Sequence, residues 1–149
     1  MITFKPLEIK DITATTLMMQ DFYTIDNYPM DVEVTKTLFQ EFISNEKLGK
    51  SWLIYSENEI VGYMILTFVS SFEYGGKIAF VDELFIKETA RGKGIGKEAI
   101  QFIQREVPKL SLKLLYLEVE PHNKNAQKLY LAHDFELHNR KLMKYKVTK

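Results

Sequence analysis

Apolar and polar positions along this chain recur with two periods, near two in some stretches and near 3.6 in others, and each change of period marks an element. Residues 2–7 read as a short strand ended near Pro6, and beyond it Ile12, Thr15, Thr16, Met19 and Phe22 fall at helical spacing. Pro29 breaks that pattern. Asp31 is then placed to cap a second helix on which Val34, Leu38 and Phe42 share a face, with residues 45–50 closing it. Residues 51–55 and 59–69 are rich in β-branched and aromatic side chains, and Glu57-Asn58 between them predicts a hairpin turn. Residues 70–77, with Gly75-Gly76, predict a second turn into a third strand, residues 78–86. Strands joined by links this short pair antiparallel.

Helical spacing returns at Ile95, Ala99, Phe102 and Ile103 and stops at Pro108. Residues 113–119 form the next strand, which follows a strand-helix connection and is therefore expected parallel to residues 78–86 through a right-handed crossover. Pro121 ends it, Asn123 is placed to cap a helix to about Ala132, and residues 135–137 and 140–147 predict a final hairpin. The expected fold is α/β: one domain over residues 1–149, a mixed, mostly antiparallel sheet of six to seven strands, and helices on both faces.

Composition removes several functions. With 46% apolar and 27% charged residues the chain has an ordinary globular balance, and it has no cysteine for a disulfide or thiolate metal site. Its three histidines are scattered, so no metal is expected. No apolar run is long enough to span a bilayer and no leader-like segment opens the chain, so no membrane partner and a cytoplasmic location are expected. The zero net charge hides an asymmetry. Residues 1–60 hold ten acidic against five basic side chains, and residues 61–149 hold ten against fifteen. The basic half suits a polyanionic cofactor and the acidic half a cationic substrate. Nucleic acid is not expected, because the basic residues are dispersed without interleaved arginine and aromatic positions.

The basic half contains the densest chemistry, Arg91-Gly92-Lys93-Gly94-Ile95-Gly96 after the strand at residues 78–86. Three glycines in five residues let the backbone turn with its N–H groups facing one way into the positive end of a helix. A di- or triphosphate-sized anion fits such a seat, and Arg91, Lys93 and Lys97 add formal charge. The spacing departs from the nucleoside-triphosphate loop, because Gly96-Lys97 is followed by Glu98. It also departs from the dinucleotide Gly-x-Gly-x-x-Gly pattern. A second constellation lies downstream. On a helix, Asn123, Ala126 and Tyr130 form one line, an amide, a gap and a phenol along one edge.

Arg91-x-x-Gly94-x-Gly96 followed by Asn123-x-x-Ala126-x-x-x-Tyr130 resembles the two halves of the acetyl-CoA site of the GNAT family of acyl-CoA N-acyltransferases, and the order of elements agrees along the whole chain. One departure is Asp134-Phe135 where many members have Gly-Phe, a position at which a left-handed residue is expected and Asp is among the less costly choices. The resemblance implies acetyl-CoA (CoA) held between two parallel strands that splay apart. Backbone at Leu84, Phe85 and Ile86 would pair with the pantetheine arm. N–H groups over Arg91, Gly92, Lys93, Gly94, Ile95, Gly96 and Lys97 would bind the pyrophosphate, Asn123 would reach the arm, and Lys128 lies on the same edge.

It also implies N-acetylation of a primary amine by direct attack in a ternary complex. An amine with a pKa of about 10.4 must lose a proton before it attacks a thioester, and a carboxylate can accept it. Candidates are Glu118, Glu83 and Asp82; strand alternation puts Asp82 and Glu83 on opposite faces, so one of them is expected in the cleft. Tyr130 is the candidate acid for the departing thiolate, and a backbone N–H near Leu84 the oxyanion donor if the strand is bulged there. Asp21, Asp26, Asp31 and Glu33, with Tyr23, Tyr28, Phe72 and Tyr74 as substrate-binding candidates, suit a small cationic, polyamine-like acceptor. Alternatives are a peptide or protein amine, or a non-catalytic acyl-CoA-binding module. Sheet edges and an apolar final hairpin would make a homodimer plausible.

Overall fold

The antiparallel run forms as the alternating segments require. A computed structural model describes residues 1–148, in two compact units, one ending at Glu118 and one beginning at Val119. In the first, β1 (Ile2–Pro6), β2 (Gly49–Ser56), β3 (Glu59–Ser71), β4 (Gly76–Ile86) and β5 (Leu115–Leu117) lie side by side in chain order. The pairs are antiparallel except β4 with β5, which is parallel. Glu57 and Asn58 both take positive φ, 49° and 69°, the twist a two-residue hairpin needs.

After one 3-10 turn, α1 (Ile12–Ile25) and α2 (Val32–Ser44) cover one face of the sheet. Met18, Met19 and Phe39 there pack with Leu53, Tyr63, Ile65 and Phe85 from the strands. The buried hydroxyls of Thr15 and Thr16 donate to the carbonyls of Asp11 and Ile12, both at 2.8 Å, so helix backbone satisfies them. Asp31 caps α2 as expected, accepting from the Val34 N–H at 3.0 Å. The buried face of α2 differs from the expected one: Val34 and Leu38 are exposed, and Phe39, with Phe42 and Ile43 beside it, carries the packing. Both stripes have helical period, and the larger aromatic surface takes the core.

On the other face α3 (Ile95–Lys109) buries Ile95, Ala99, Ile100 and Ile103. Phe102 stacks on Phe4 at 4.2 Å and meets Trp52 edge-on at 5.3 Å. Each of the three buried isoleucines of α3 contributes about 1.5–3 kcal/mol.

The second unit holds α4 (Lys124–Leu131). Asn123 caps it, accepting from the Ala126 N–H at 3.1 Å. Asp134 ends the following turn with φ of 69°, the left-handed conformation expected there, and the Phe135 N–H returns to the Tyr130 carbonyl at 3.1 Å.

The six to seven strands expected from the sequence are corrected to five among the described residues, because 135–137 and 140–147 form no hairpin. Leu142, Met143, Tyr145 and Val147 have strand composition but stand exposed. A lone two-stranded ribbon is marginal without a third strand or an apolar face to cover, and Lys141, Lys144 and Lys146 add like charge.

Candidate active site

The site in the first unit begins with an irregularity in β4. Ile65 pairs with Glu83 but Leu66 pairs with Val81, so Asp82 is an extra residue, a β-bulge. Thr67 and Ile65 share one face of β3, and their partners Phe80 and Glu83 therefore share it too, although three positions apart. Asp82, two residues after Phe80, comes round to the same side. This corrects the expectation that Asp82 and Glu83 point to opposite faces: both line one cavity.

That cavity, about 520 Å³, lies between α1, α2 and the sheet. Its apolar lining includes Met19, Leu38, Phe39, Phe42 and Ile65; Glu41, Asp82 and Glu83 supply charge, and no lysine or arginine is among its lining residues. Glu83 is half-buried and held at both oxygens. The Tyr23 hydroxyl donates to Oε2 and the Tyr63 hydroxyl to Oε1, each at 2.6 Å. Burial pushes the Glu83 carboxyl above the usual carboxylate range; the two phenols pull it down and Asp82 adds a smaller upward push. Burial raises Asp82 as well. Both phenols are raised, by burial first and then by the carboxylate they face.

The glycine loop lies at the far end of β4. The ladder between β4 and β5 has three pairs, ending at Val81 and Leu117, while β4 runs on to Ile86. Glu118 follows directly on β5. Leu84, Phe85 and Ile86 are paired to β3 on one edge and lie beyond the β5 ladder on the other. Gly92 and Gly94 have φ of 77° and 79°, and a Cβ built on either would meet nothing within 4 Å. The space beside both glycines is open on the side a Cβ would occupy. The first helical bond of α3 runs from the Glu98 N–H to the Gly94 carbonyl, so the N–H groups of Ile95, Gly96 and Lys97 lie upstream of it. Arg91 ties the loop down: its N–H donates to Glu88, its Nε donates to the Ile86 carbonyl at 3.0 Å, and its guanidinium lies 5.8 Å over the Phe85 ring. Open space beside the two glycines, helix-start donors and a β4 edge beyond the β5 ladder fit a CoA-type ligand.

A Cβ at Gly94 tests that space. Holding φ at 79° costs a non-glycine residue roughly 1–2 kcal/mol. Gly94→Ala is expected to lower the melting point modestly and to weaken CoA by about tenfold, equivalent to about 1.4 kcal/mol, in calorimetry. Unchanged CoA affinity would move the phosphates elsewhere.

Of the sequence-level candidates, Tyr23, Asp82 and Glu83 come together in the cavity, and Leu84 through Lys97 form the strand edge and loop. Tyr28, Phe72 and Tyr74 do not line the cavity; Phe72 is fully exposed at the turn before β4. Asn123 and Tyr130 lie in the second unit, where the Asn123 side-chain oxygen serves the helix cap and the Tyr130 ring packs on Phe135 at 5.8 Å. Burial raises the Tyr130 phenol, which keeps it protonated at neutral pH. Tyr63 and Glu41 escaped the sequence reading. Tyr63 could be found only with the register of β3 on β4 in hand, because it reaches Glu83 diagonally across the pair.

A family model described as the acetyltransferase (GNAT) family matches residues 15–135. The D-amino-acid N-acetyltransferase HPA3 of Saccharomyces cerevisiae is 26% identical over 132 residues, covering 87% of this chain and 81% of that protein. Among solved structures, the integron cassette protein HFX_CASS3 from the mobile metagenome of Cole Harbour Salt Marsh superposes with a TM-score of 0.87 at 29% identity, covering 98% of this chain and 91% of that one. A possible acetyltransferase from Clostridium difficile 630 has a TM-score of 0.88 at 17% identity, covering 99% of each chain.

Proposed function

Because the chain belongs to the GNAT family of acetyltransferases and is an acyltransferase, we propose that it N-acetylates a primary amine seated in the cavity beside β4, by direct attack in a ternary complex. Acetyl-CoA supplies the acetyl group as a thioester. The edge of β4 at Leu84, Phe85 and Ile86, beyond the β5 ladder, pairs with the amides of the pantetheine arm. Loop N–H groups from Gly92 to Lys97 take the pyrophosphate, and Lys93 and Lys97 add charge. Asn123 meets the arm through its side-chain nitrogen. The backbone N–H near Leu84, just past the bulge, is the oxyanion donor.

Glu83 carries this reading, a carboxylate held at both oxygens by phenols, lining the cavity and raised by burial above the usual carboxylate range. It takes a proton from the ammonium, which frees the nitrogen lone pair for attack; the N–C bond forms, the second nitrogen proton leaves to water, the C–S bond breaks and Tyr130 gives its proton to the sulfur. Tyr130→Phe is expected to lower kcat by about 10²-fold with CoA affinity unchanged, and undiminished turnover would remove Tyr130 from the chemistry.

Glu41, Asp82 and Glu83 against apolar walls favour a cationic, polyamine-like amine. A second reading follows the yeast relative, which is named for D-amino acids. A free amino acid would bring its own carboxylate beside these acids, so its amide should be the better acceptor. The test is calorimetry with CoA, then thiol release from acetyl-CoA with diamines, D-amino acids, D-amino-acid amides and a short peptide. Preference for diamines supports the first reading, and preference for free D-amino acids the second. CoA binding without thiol release from any acceptor supports a non-catalytic module.

A further inference from the structure

The bond between Glu83 and two phenols has a geometry that packing alone does not require. A carboxylate has two oxygens and about four lone-pair sites. Tyr63, fully buried on β3, occupies one at Oε1; Tyr23, reaching across from α1, occupies one at Oε2. Both bonds, at 2.6 Å, are in the short range of hydroxyl-to-carboxylate hydrogen bonds. One lone-pair direction per oxygen remains for an incoming N–H or a water.

We infer that Tyr63 and Tyr23 are positioning residues for acetyl transfer, clamping Glu83 between sheet and helix so that it faces the cavity in its proton-accepting form. The inference rests on the proposed role of Glu83 and extends it to two residues that act through that carboxylate. Every charged or titratable group facing Glu83 bears on this. Asp82 on β4 and Glu41 on α2 are acids, and the two tyrosines supply the hydrogen-bond donors. The two phenols are the hydrogen-bond donors that favour a negative Glu83, and removing either would leave burial and Asp82 to push its carboxyl higher.

The test is the pH dependence of kcat/KM for the wild type, Tyr63→Phe, Tyr23→Phe and Glu83→Gln, with CoA affinity measured alongside. Each Tyr→Phe change keeps the ring and removes one donor from the charged carboxylate, so the acid-side limb should move up by about one pH unit. The shift should be smaller for Tyr23, which is only part-buried, because water can replace its hydroxyl. Activity should largely recover above the displaced limb. A purely structural loss would lower the rate equally at every pH. If Glu83→Gln is inactive while both tyrosine variants keep the wild-type limb, the clamp is refuted and Glu83 remains the base. If Glu83→Gln is fully active, the underlying reading fails and takes the clamp with it. Should Tyr63→Phe fail to fold, the limb of Tyr23→Phe decides.

Discussion

Glu83→Gln is expected to lower kcat by about 10²–10⁴-fold, leave acetyl-CoA affinity intact and raise the melting temperature at pH 7–8. The three effects have one source. The carboxylate is raised because burial costs its charged form more than the two phenols return. In the unfolded chain it titrates in the ordinary carboxylate range. The native state therefore binds the proton more tightly than the unfolded state, and the stability this contributes is present at low pH. It is lost as pH rises from the ordinary range through the raised native value. Glutamine is neutral throughout and escapes that loss. Melts at pH 4 and pH 8 should show the two proteins converging at the acid end and the variant ahead at the alkaline end. A variant less stable at pH 8 would mean that the charged hydrogen bonds outweigh the cost of burial.

Gly62→Ala is expected to cost about 3 kcal/mol and to weaken CoA as well. Gly62 lies on β3 opposite Ile86, and a Cβ there would come 2.1 Å from the Phe85 carbonyl oxygen. The obstacle is backbone, so no side-chain rotation relieves it. β3 and β4 must separate at the stretch proposed to pair with the pantetheine arm. Denaturant melts read the first effect and calorimetry the second. A variant as stable as the wild type would show that the two strands can part here without penalty.

The order of strands and helices was legible because each element announces its own period and its own ends. Asp31 and Asn123 are caps and Glu57-Asn58 is a hairpin turn, read from side-chain chemistry acting within four residues, while the left-handed Asp134 was expected from the family resemblance. What was illegible depends on partners distant in sequence. On α2 two apolar stripes compete, and only the sheet beneath decides for Phe39 over Val34 and Leu38. The terminal residues 140–147 have strand composition, yet composition cannot supply the neighbour a strand needs. The glycine loop was readable because its geometry is local. The surroundings of Glu83 were not, because they follow from the pairing of β4 with β3.

The irregularity at Asp82 adds a residue without shifting the pairs on either side of it, so Glu83 keeps Ile65 as its partner and its place on the cavity face. Losing that one residue would take a carboxylate out of the cavity and leave the other where it stands, so the two acids can be told apart by deletion as well as by substitution.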